Sequence, residues 1–101
     1  MCSRWGVLVH ERILRRCQAC ARARRYVVTV HAADELDADE CDVVDLEFGI
    51  LTGTIIEAQR DRVTRERKYR IRGSTGRGRD VELVVKFGAT GKMIVITVYE
   101  P

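Results

Sequence analysis

The hydrophobic periodicity of this chain changes at Gly53. Before that residue, apolar side chains recur every three or four positions, as in amphipathic helices, and after it they alternate with polar ones, as in half-buried strands. Helices followed by strands predict an α+β domain in which N-terminal helices pack on a mainly antiparallel sheet. The length of 101 residues suits a single domain, residues 1–101, with one modest core.

A basic amphipathic helix is predicted at the start of the chain. From Val7 to about Ala23, apolar residues share one face, and the opposite face carries Arg12, Arg15, Arg16 and Arg22. Residues 1–25 are therefore interpreted as a basic helical extension of a core formed by residues 26–101.

A second helix is predicted within the acidic segment that follows. Ala32–Leu36 can form a helical turn ahead of it. Asp37 or Asp39 is the expected N-cap of the helix, which is expected to run to Leu51. Gly53 follows the last apolar residue, where a left-handed C-terminal cap favours glycine. Tyr26–Val30, which is rich in β-branched residues, fits a short strand or an extended lead-in to this helix.

Four strands are predicted after Gly53, and together they predict a four-stranded sheet. Their ranges are Thr54–Gln59, Arg67–Arg72, Val81–Phe87 and Met93–Tyr99. In the second strand, Tyr69 and Ile71 alternate with Lys68, Arg70 and Arg72. This alternation predicts a half-buried strand with a cationic outer face.

Charge is unevenly distributed along the chain, although the net charge is only +3. Residues 1–25 and 54–79 are rich in arginine, whereas residues 31–53 carry acidic side chains and no lysine or arginine. Such segregation predicts a basic surface that can meet phosphate and an acidic surface that can meet a basic partner. Plain solvation of each charged face is the alternative interpretation.

The apolar runs argue against a membrane protein. The longest, such as Met93–Val98, are far shorter than the roughly 20 residues of a membrane-spanning helix. The N-terminus does not match a signal peptide. We therefore expect a cytoplasmic protein with no membrane partner, whose four cysteines are reduced.

Residues 26–101 resemble an uncharacterised family of small bacterial and archaeal domains. The family pattern reads HAxxRM, then ERGIS, then DVxxAIxxGxIIE, and its sheet ends in ITVYxP. The residues that carry the resemblance are His31-Ala32, Leu36, Asp45-Leu46, Ile50, Gly53–Glu57 and Val95–Pro101. Members are often encoded beside zinc-finger antitoxin-like proteins and look distantly similar to the RelE and BrnT ribonuclease toxins. The resemblance implies a RelE/BrnT-like sheet covered by helices and an RNA-directed activity.

Two departures from the family pattern replace cations by anions. Glu35 stands where the family has the arginine of HAxxR, and Asp39, followed by Glu40, stands where it has the arginine of ERGIS. If those arginines hold phosphate in relatives, this chain has either moved that role to Arg67–Arg72 or lost it. Catalytic activity therefore stays open at this point.

Metal-independent cleavage of RNA by its own 2′-hydroxyl needs a base, an acid and cations that stabilise charge on the phosphate. His31 is the titratable candidate, and the histidine is expected to share one concave wall with the cationic strand. The other candidate catalytic residues are Arg70, Arg72 and Tyr99, with Glu57 as an auxiliary group. The plainer interpretation of His31 is a helix cap or a partner of the backbone.

Further arginines and lysines are candidates for binding nucleic acid. They are Lys68, Arg77, Arg79, Arg12 and Arg16. The glycine-rich stretch Gly73–Arg79 lacks the GK[ST] ending of a phosphate-binding loop and precedes a strand, so we interpret it as a flexible basic turn. Such a turn can follow a nucleic-acid backbone without reading bases.

Cys17 and Cys20 form a CxxC motif on the predicted first helix. No further cysteine or histidine follows at the spacing of a common zinc module, so helix packing is favoured over a metal or redox site. We therefore expect no metal site and no cofactor, and metal binding by these two thiols stays open as the alternative.

Three functional hypotheses follow. The first is a RelE/BrnT-like toxin of a toxin–antitoxin pair, a metal-independent endoribonuclease that an antitoxin-like protein holds inactive. The second is a non-catalytic module that binds nucleic acid or an acidic protein. The third is a homodimer in which the acidic helix face of one copy meets the basic face of the other.

Overall fold

The fold is that of a computed structural model, which describes residues 4–101, with side chains from His10 onward. The described residues form three helices and five strands. The helices are α1 (Arg4–Ala23), α2 (Val30–Ala38) and α3 (Val43–Thr52), and the strands are β1 (Tyr26–Val28), β2 (Thr54–Arg60), β3 (Arg67–Ser74), β4 (Asp80–Phe87) and β5 (Met93–Tyr99). The predicted α+β class is confirmed, and so is a helix at the start of the chain.

The prediction of a four-stranded sheet is wrong, because the sheet has five strands in the order β1-β5-β4-β3-β2. The additional strand, β1, pairs in parallel with β5, and Tyr26 lies opposite Met93. The other three pairings are antiparallel. A strand of three residues whose partner lies near the other end of the chain leaves no local alternation that would reveal its pairing.

The acidic segment forms two helices. The predicted helical turn at Ala32–Leu36 lies within α2, but the prediction that the next helix starts at Asp37 or Asp39 is wrong. Thr29 is the N-cap of α2, and the two aspartates lie at the C-terminal end of that helix. Asp42 is the N-cap of α3. Its carboxylate accepts the amide of Asp45 at 3.0 Å, and the Asp45 carboxylate accepts the amide of Asp42 at 3.1 Å. This reciprocal capping box satisfies two amide donors at the start of α3.

Gly53 ends α3, as predicted, but its backbone is extended (φ −87°, ψ 171°) and not left-handed. Packing explains the glycine, since a Cβ at this position would lie 2.6 Å from both the Gly49 carbonyl oxygen and the Ile71 side chain. A Cβ on Gly73 would likewise collide with the backbone of Gly49. The three glycines let α3 lie directly on β3.

The hydrophobic core lies between the helices and one face of the sheet. Its helical part includes Cys17, Leu46 and Ile50, and its sheet part consists of Tyr69, Ile71, Val81, Leu83, Val85, Met93, Val95 and Val98. Burial raises the pKa of the Cys17 thiol to about 12, so this cysteine stays protonated at neutral pH. Among the described residues, no three His, Cys, Asp or Glu side chains group as metal ligands.

No helix in the described part of the chain combines the length and the apolar character needed to cross a bilayer.

Candidate functional site on the open sheet face

The sheet face that points away from the helices is open to solvent, and we call it the open face. On β3, Lys68, Arg70 and Arg72 alternate with the buried residues Tyr69 and Ile71. Since neighbouring strand residues point to opposite sides, the three cations lie on the open face. The predicted cationic outer face of this strand is confirmed.

Strand register groups several of these side chains. Glu82 on β4 lies opposite Tyr99 on β5 and opposite Arg72 on β3. Arg70, two residues along β3, lies opposite Glu57 on β2. These five residues, Glu57, Arg70, Arg72, Glu82 and Tyr99, are called the open-face cluster below.

Ion pairs hold the arginines of the open-face cluster in place. Arg70 Nη1 lies 3.3 Å from Glu57 Oε2, and Arg72 Nη2 lies 3.9 Å from Asp80 Oδ2. All of these side chains are partly exposed, so each pair is worth on the order of 1 kcal/mol or less. The arginines are therefore positioned by carboxylates that an anionic ligand can displace.

Tyr99 is held in its protonated form. Burial raises the pKa of its phenol, the negative charge of Glu82 raises it further, and the positive charge of Arg70 partly opposes the shift. A protonated phenol beside guanidinium groups can donate a hydrogen bond or a proton to an oxygen atom of a ligand.

His31 lies elsewhere. It occupies the first turn of α2 with 69% of its side chain exposed, and its Nε2 is 3.2 Å from Oε1 of Glu35. α2 contacts the sheet at β5, and β4 separates that strand from β3. The structure thus does not bring His31 together with Arg70 and Arg72, and an argument for RNA cleavage that uses this imidazole as base loses its geometric support.

The five predicted nucleic-acid-binding residues are also dispersed. Lys68 lies on the open face, while Arg12 and Arg16 lie on α1, which packs on the opposite side of the sheet. The Arg16 guanidinium lies 3.8 Å above the centre of the Phe87 ring, a cation–π contact. Arg77 and Arg79 lie in the β3–β4 turn, and Arg79 forms an ion pair with Glu100.

Sequence reasoning missed Glu82, which is only 8% exposed although it lies on the open face. A signal was present in the sequence, because Glu82 is the one charged residue within the apolar run Val81–Val85. A lone carboxylate in such a run carries a desolvation cost, and neighbouring cations offset that cost. Its position opposite Tyr99 depends on strand register, which the local pattern does not give.

Residues 28–100 match a family described as a domain of unknown function (DUF4258). The chain belongs to the DUF4258 family. The matched range contains the whole open-face cluster and leaves α1 outside. No curated protein and no solved structure matches the chain. The resemblance to RelE and BrnT toxins therefore stays a prediction for this DUF4258 domain.

The open-face cluster of the DUF4258 domain combines three kinds of chemical group. Two guanidinium groups can bind a phosphodiester, two carboxylates can accept a proton, and one protonated phenol can donate one. Together they provide the parts of acid–base chemistry at a phosphate group, without requiring His31.

Proposed function

We propose that the open face of this DUF4258 domain binds RNA and cleaves it without a metal ion, as a toxin-type endoribonuclease. The grouping of cations, carboxylates and a phenol in the open-face cluster carries the proposal. The face is not covered by the helices, so an extended polymer has room to lie across the strands. The resemblance to ribonuclease toxins supports the same conclusion as an analogy.

In the proposed reaction, the carboxylate of Glu57 accepts the proton of the RNA 2′-hydroxyl, and the 2′-oxygen attacks the adjacent phosphorus. The bond from phosphorus to the 5′-oxygen breaks, and Tyr99 protonates the departing oxygen. The products are a 2′,3′-cyclic phosphate and a free 5′-hydroxyl. Arg70 and Arg72 stabilise the charge that develops on the phosphate oxygens, and Glu82 positions Tyr99.

The experiment is incubation of purified protein with end-labelled RNA in the presence of EDTA. Cleavage to cyclic-phosphate ends is expected, and Tyr99→Phe should lower the rate by roughly 10²- to 10⁴-fold, because it removes the proton donor. Arg70→Ala should lower it as well. His31→Ala is the matched control and should cleave at the wild-type rate. Intact RNA with folded wild-type protein would contradict the proposal.

A second candidate function is binding of nucleic acid without turnover. It is favoured by the ion pairs of the β3 cations, since Lys68, Arg70 and Arg72 each have a carboxylate partner within 4 Å. The distance of His31 from this face favours it too. This hypothesis predicts salt-sensitive binding of RNA, with no cleavage by any variant.

We further propose that an antitoxin-like protein with a basic amphipathic segment binds to α3. Val44, Phe48 and Leu51 recur at helical spacing and are exposed, although such side chains favour burial. The surrounding segment, residues 31–53, is acidic. Pairing of two copies through α3 would bring these carboxylates together, so charge complementarity favours a basic partner over a homodimer.

A further inference from the structure

One end of the sheet collects arginines from separate parts of the chain. Because β2 to β5 run alternately, the β2–β3 turn and the β4–β5 turn lie at the same end. The segment between α1 and β1 joins them there, since Met93 donates its amide to the Arg25 carbonyl at 3.1 Å. We call this the basic end; its cations are Arg24, Arg25, Arg60, Arg62, Arg65, Arg67 and Lys92.

The β2–β3 turn at the basic end is held by hydrogen bonds to Asp61. Its Oδ1 accepts the amides of Val63 at 2.8 Å and Thr64 at 3.0 Å, and its carbonyl accepts the amide of Arg65 at 2.9 Å. The Asp61 amide in turn donates to the Glu66 carbonyl at 2.8 Å. These bonds fix the backbone that carries the arginines, which lowers the entropy cost of binding a ligand there.

Both carboxylates of this turn already have partners. Asp61 accepts turn amides and lies 3.9 Å from the ammonium group of Lys68, and Glu66 lies 2.9 Å from that of Lys86. The four turn arginines, Arg60, Arg62, Arg65 and Arg67, are exposed and form no ion pair with any residue that the structure describes. An anionic polymer can therefore bind them without breaking an internal ion pair.

The opposite end of the sheet has a different electrostatic character. There Arg79 is paired with Glu100, and the negative charge of Asp39 also acts on its guanidinium. The acidic residues at the end of α2 and the start of α3 lie near this end, because Cys41 contacts Glu100. The charges of the fold are thus separated along the strand direction.

We propose that the basic end binds the phosphate backbone of single-stranded RNA and guides the strand onto the open face, an inference that rests on the proposed function. β3 starts in the basic end at Arg67 and reaches Arg72 of the open-face cluster after about 17 Å at 3.3 Å per residue. An RNA strand that contacts both Arg67 and Arg72 must therefore be several nucleotides long. Contacts to phosphate alone give affinity without base readout.

An anionic membrane surface is the competing ligand. The only large apolar side chain of the β2–β3 turn, Val63, is 92% exposed, and a single valine provides a weak membrane anchor. RNA is favoured because the basic end continues into the cations of β3. Binding of the protein to phosphatidylglycerol vesicles is therefore measured alongside its binding to RNA.

The binding test uses fluorescein-labelled 2′-O-methyl RNA of about a dozen nucleotides, which cannot be cleaved, titrated by anisotropy at several salt concentrations. Arg62→Ala and Arg65→Ala should each reduce the slope of log affinity against log salt by about 0.7, because each removes one phosphate contact to a single strand. Arg15→Ala, the same change on α1 and so on the side of the sheet away from the open face, should leave the slope unchanged. Equal slopes for all three variants would overturn the inference, as would tight binding to vesicles but not to RNA.

A kinetic comparison separates this inference from the proposed ribonuclease activity. With cleavable RNA, Arg62→Ala should raise KM and leave kcat unchanged, whereas Tyr99→Phe should lower kcat. Binding through Arg62 and Arg65 without any cleavage would support the basic end as an RNA site and contradict the ribonuclease. Cleavage whose KM and salt slope are the same in wild type and Arg62→Ala would support the ribonuclease and contradict the basic end as an RNA site.

Discussion

Glu35 on α2 accepts a hydrogen bond from the backbone amide of Val98 on β5, with 3.1 Å between Oε1 and the nitrogen. β1 covers the edge of β5 only from Met93 to Val95, so the amide of Val98 lies beyond the last pairing with β1. The Glu35 carboxylate accepts the hydrogen bond that a longer β1 would otherwise accept. An arginine at this position, as in the resembling family, has no acceptor atom, and the acidic residue is therefore explained by structure.

Replacing Glu35 by alanine should lower the free energy of unfolding by about 1–2 kcal/mol, because it leaves the Val98 amide without its acceptor. Glu35→Gln should retain most of the stability, since the amide oxygen can accept the same bond. Asp34→Ala serves as control because Asp34 is an exposed residue of the same helix. Urea unfolding measures all three, and equal losses for the Gln and Ala variants would contradict the assigned hydrogen bond.

The contact between α3 and β3 predicts a large effect of adding one methyl group. Gly73→Ala should cost about 1–3 kcal/mol, because its Cβ would collide with the backbone of Gly49, which cannot move aside without displacing α3. Gly76→Ala is the matched control, since nothing lies within 4 Å of the added atom. Thermal unfolding compares the two, and similar melting temperatures would contradict the tight helix–strand contact.

Titration of Tyr99 tests the electrostatics of the open-face cluster. Its pKa lies above the ordinary value of 10, so Glu82→Gln should lower the pKa and Arg70→Met should raise it. The contribution of Tyr99 to stability is complete below that ordinary value and is lost as the pH rises through the native pKa. Because the chain has three tyrosines, ultraviolet difference spectra compared with those of the Tyr99→Phe variant follow the ionisation of Tyr99. Shifts of the opposite sign would show that the three side chains do not interact as described.

Substitutions on α3 distinguish a binding surface from the core. Phe48→Ser should cost about 1 kcal/mol or less, because 44% of the residue is exposed. Leu46→Ala, two residues away and fully buried, should cost about 2–5 kcal/mol. Denaturant titration of both variants makes the comparison, and a cost for Phe48 as large as for Leu46 would mean that the exposed stripe is structural.

Much of the fold could be predicted because its signals are local. The alternation around Tyr69 and Ile71 gave the orientation of β3, and the end of the apolar helical pattern before Gly53 gave the end of α3. The reason for the glycine was not local, since it depends on the approach of α3 to β3. The break after α2 depends on Glu40, whose positive φ of 55° is unusual for a non-glycine residue.

The candidate site could be predicted only in part. The alternation in Arg67–Arg72 predicts that Arg70 and Arg72 lie on an outer face, and the structure places both of them, together with Tyr99, on the open face. Glu82 was missed because strand register brings it opposite Tyr99. His31 was expected beside these arginines, but the pairing of β1 with β5 carries α2 to the other side of β4. Register and strand order are properties of the whole chain, so short patterns do not determine them.

The most direct test of the central claim is an NMR titration of the labelled protein with 2′-O-methyl RNA. If the open face is the functional surface, the largest shift changes will be at amides and side chains around Arg70, Arg72 and Tyr99, with smaller changes around His31. Chemical-shift changes confined to α2 would contradict the assignment of the open face as an RNA surface. The absence of any shift change at RNA concentrations that saturate other single-strand-binding domains would contradict it too.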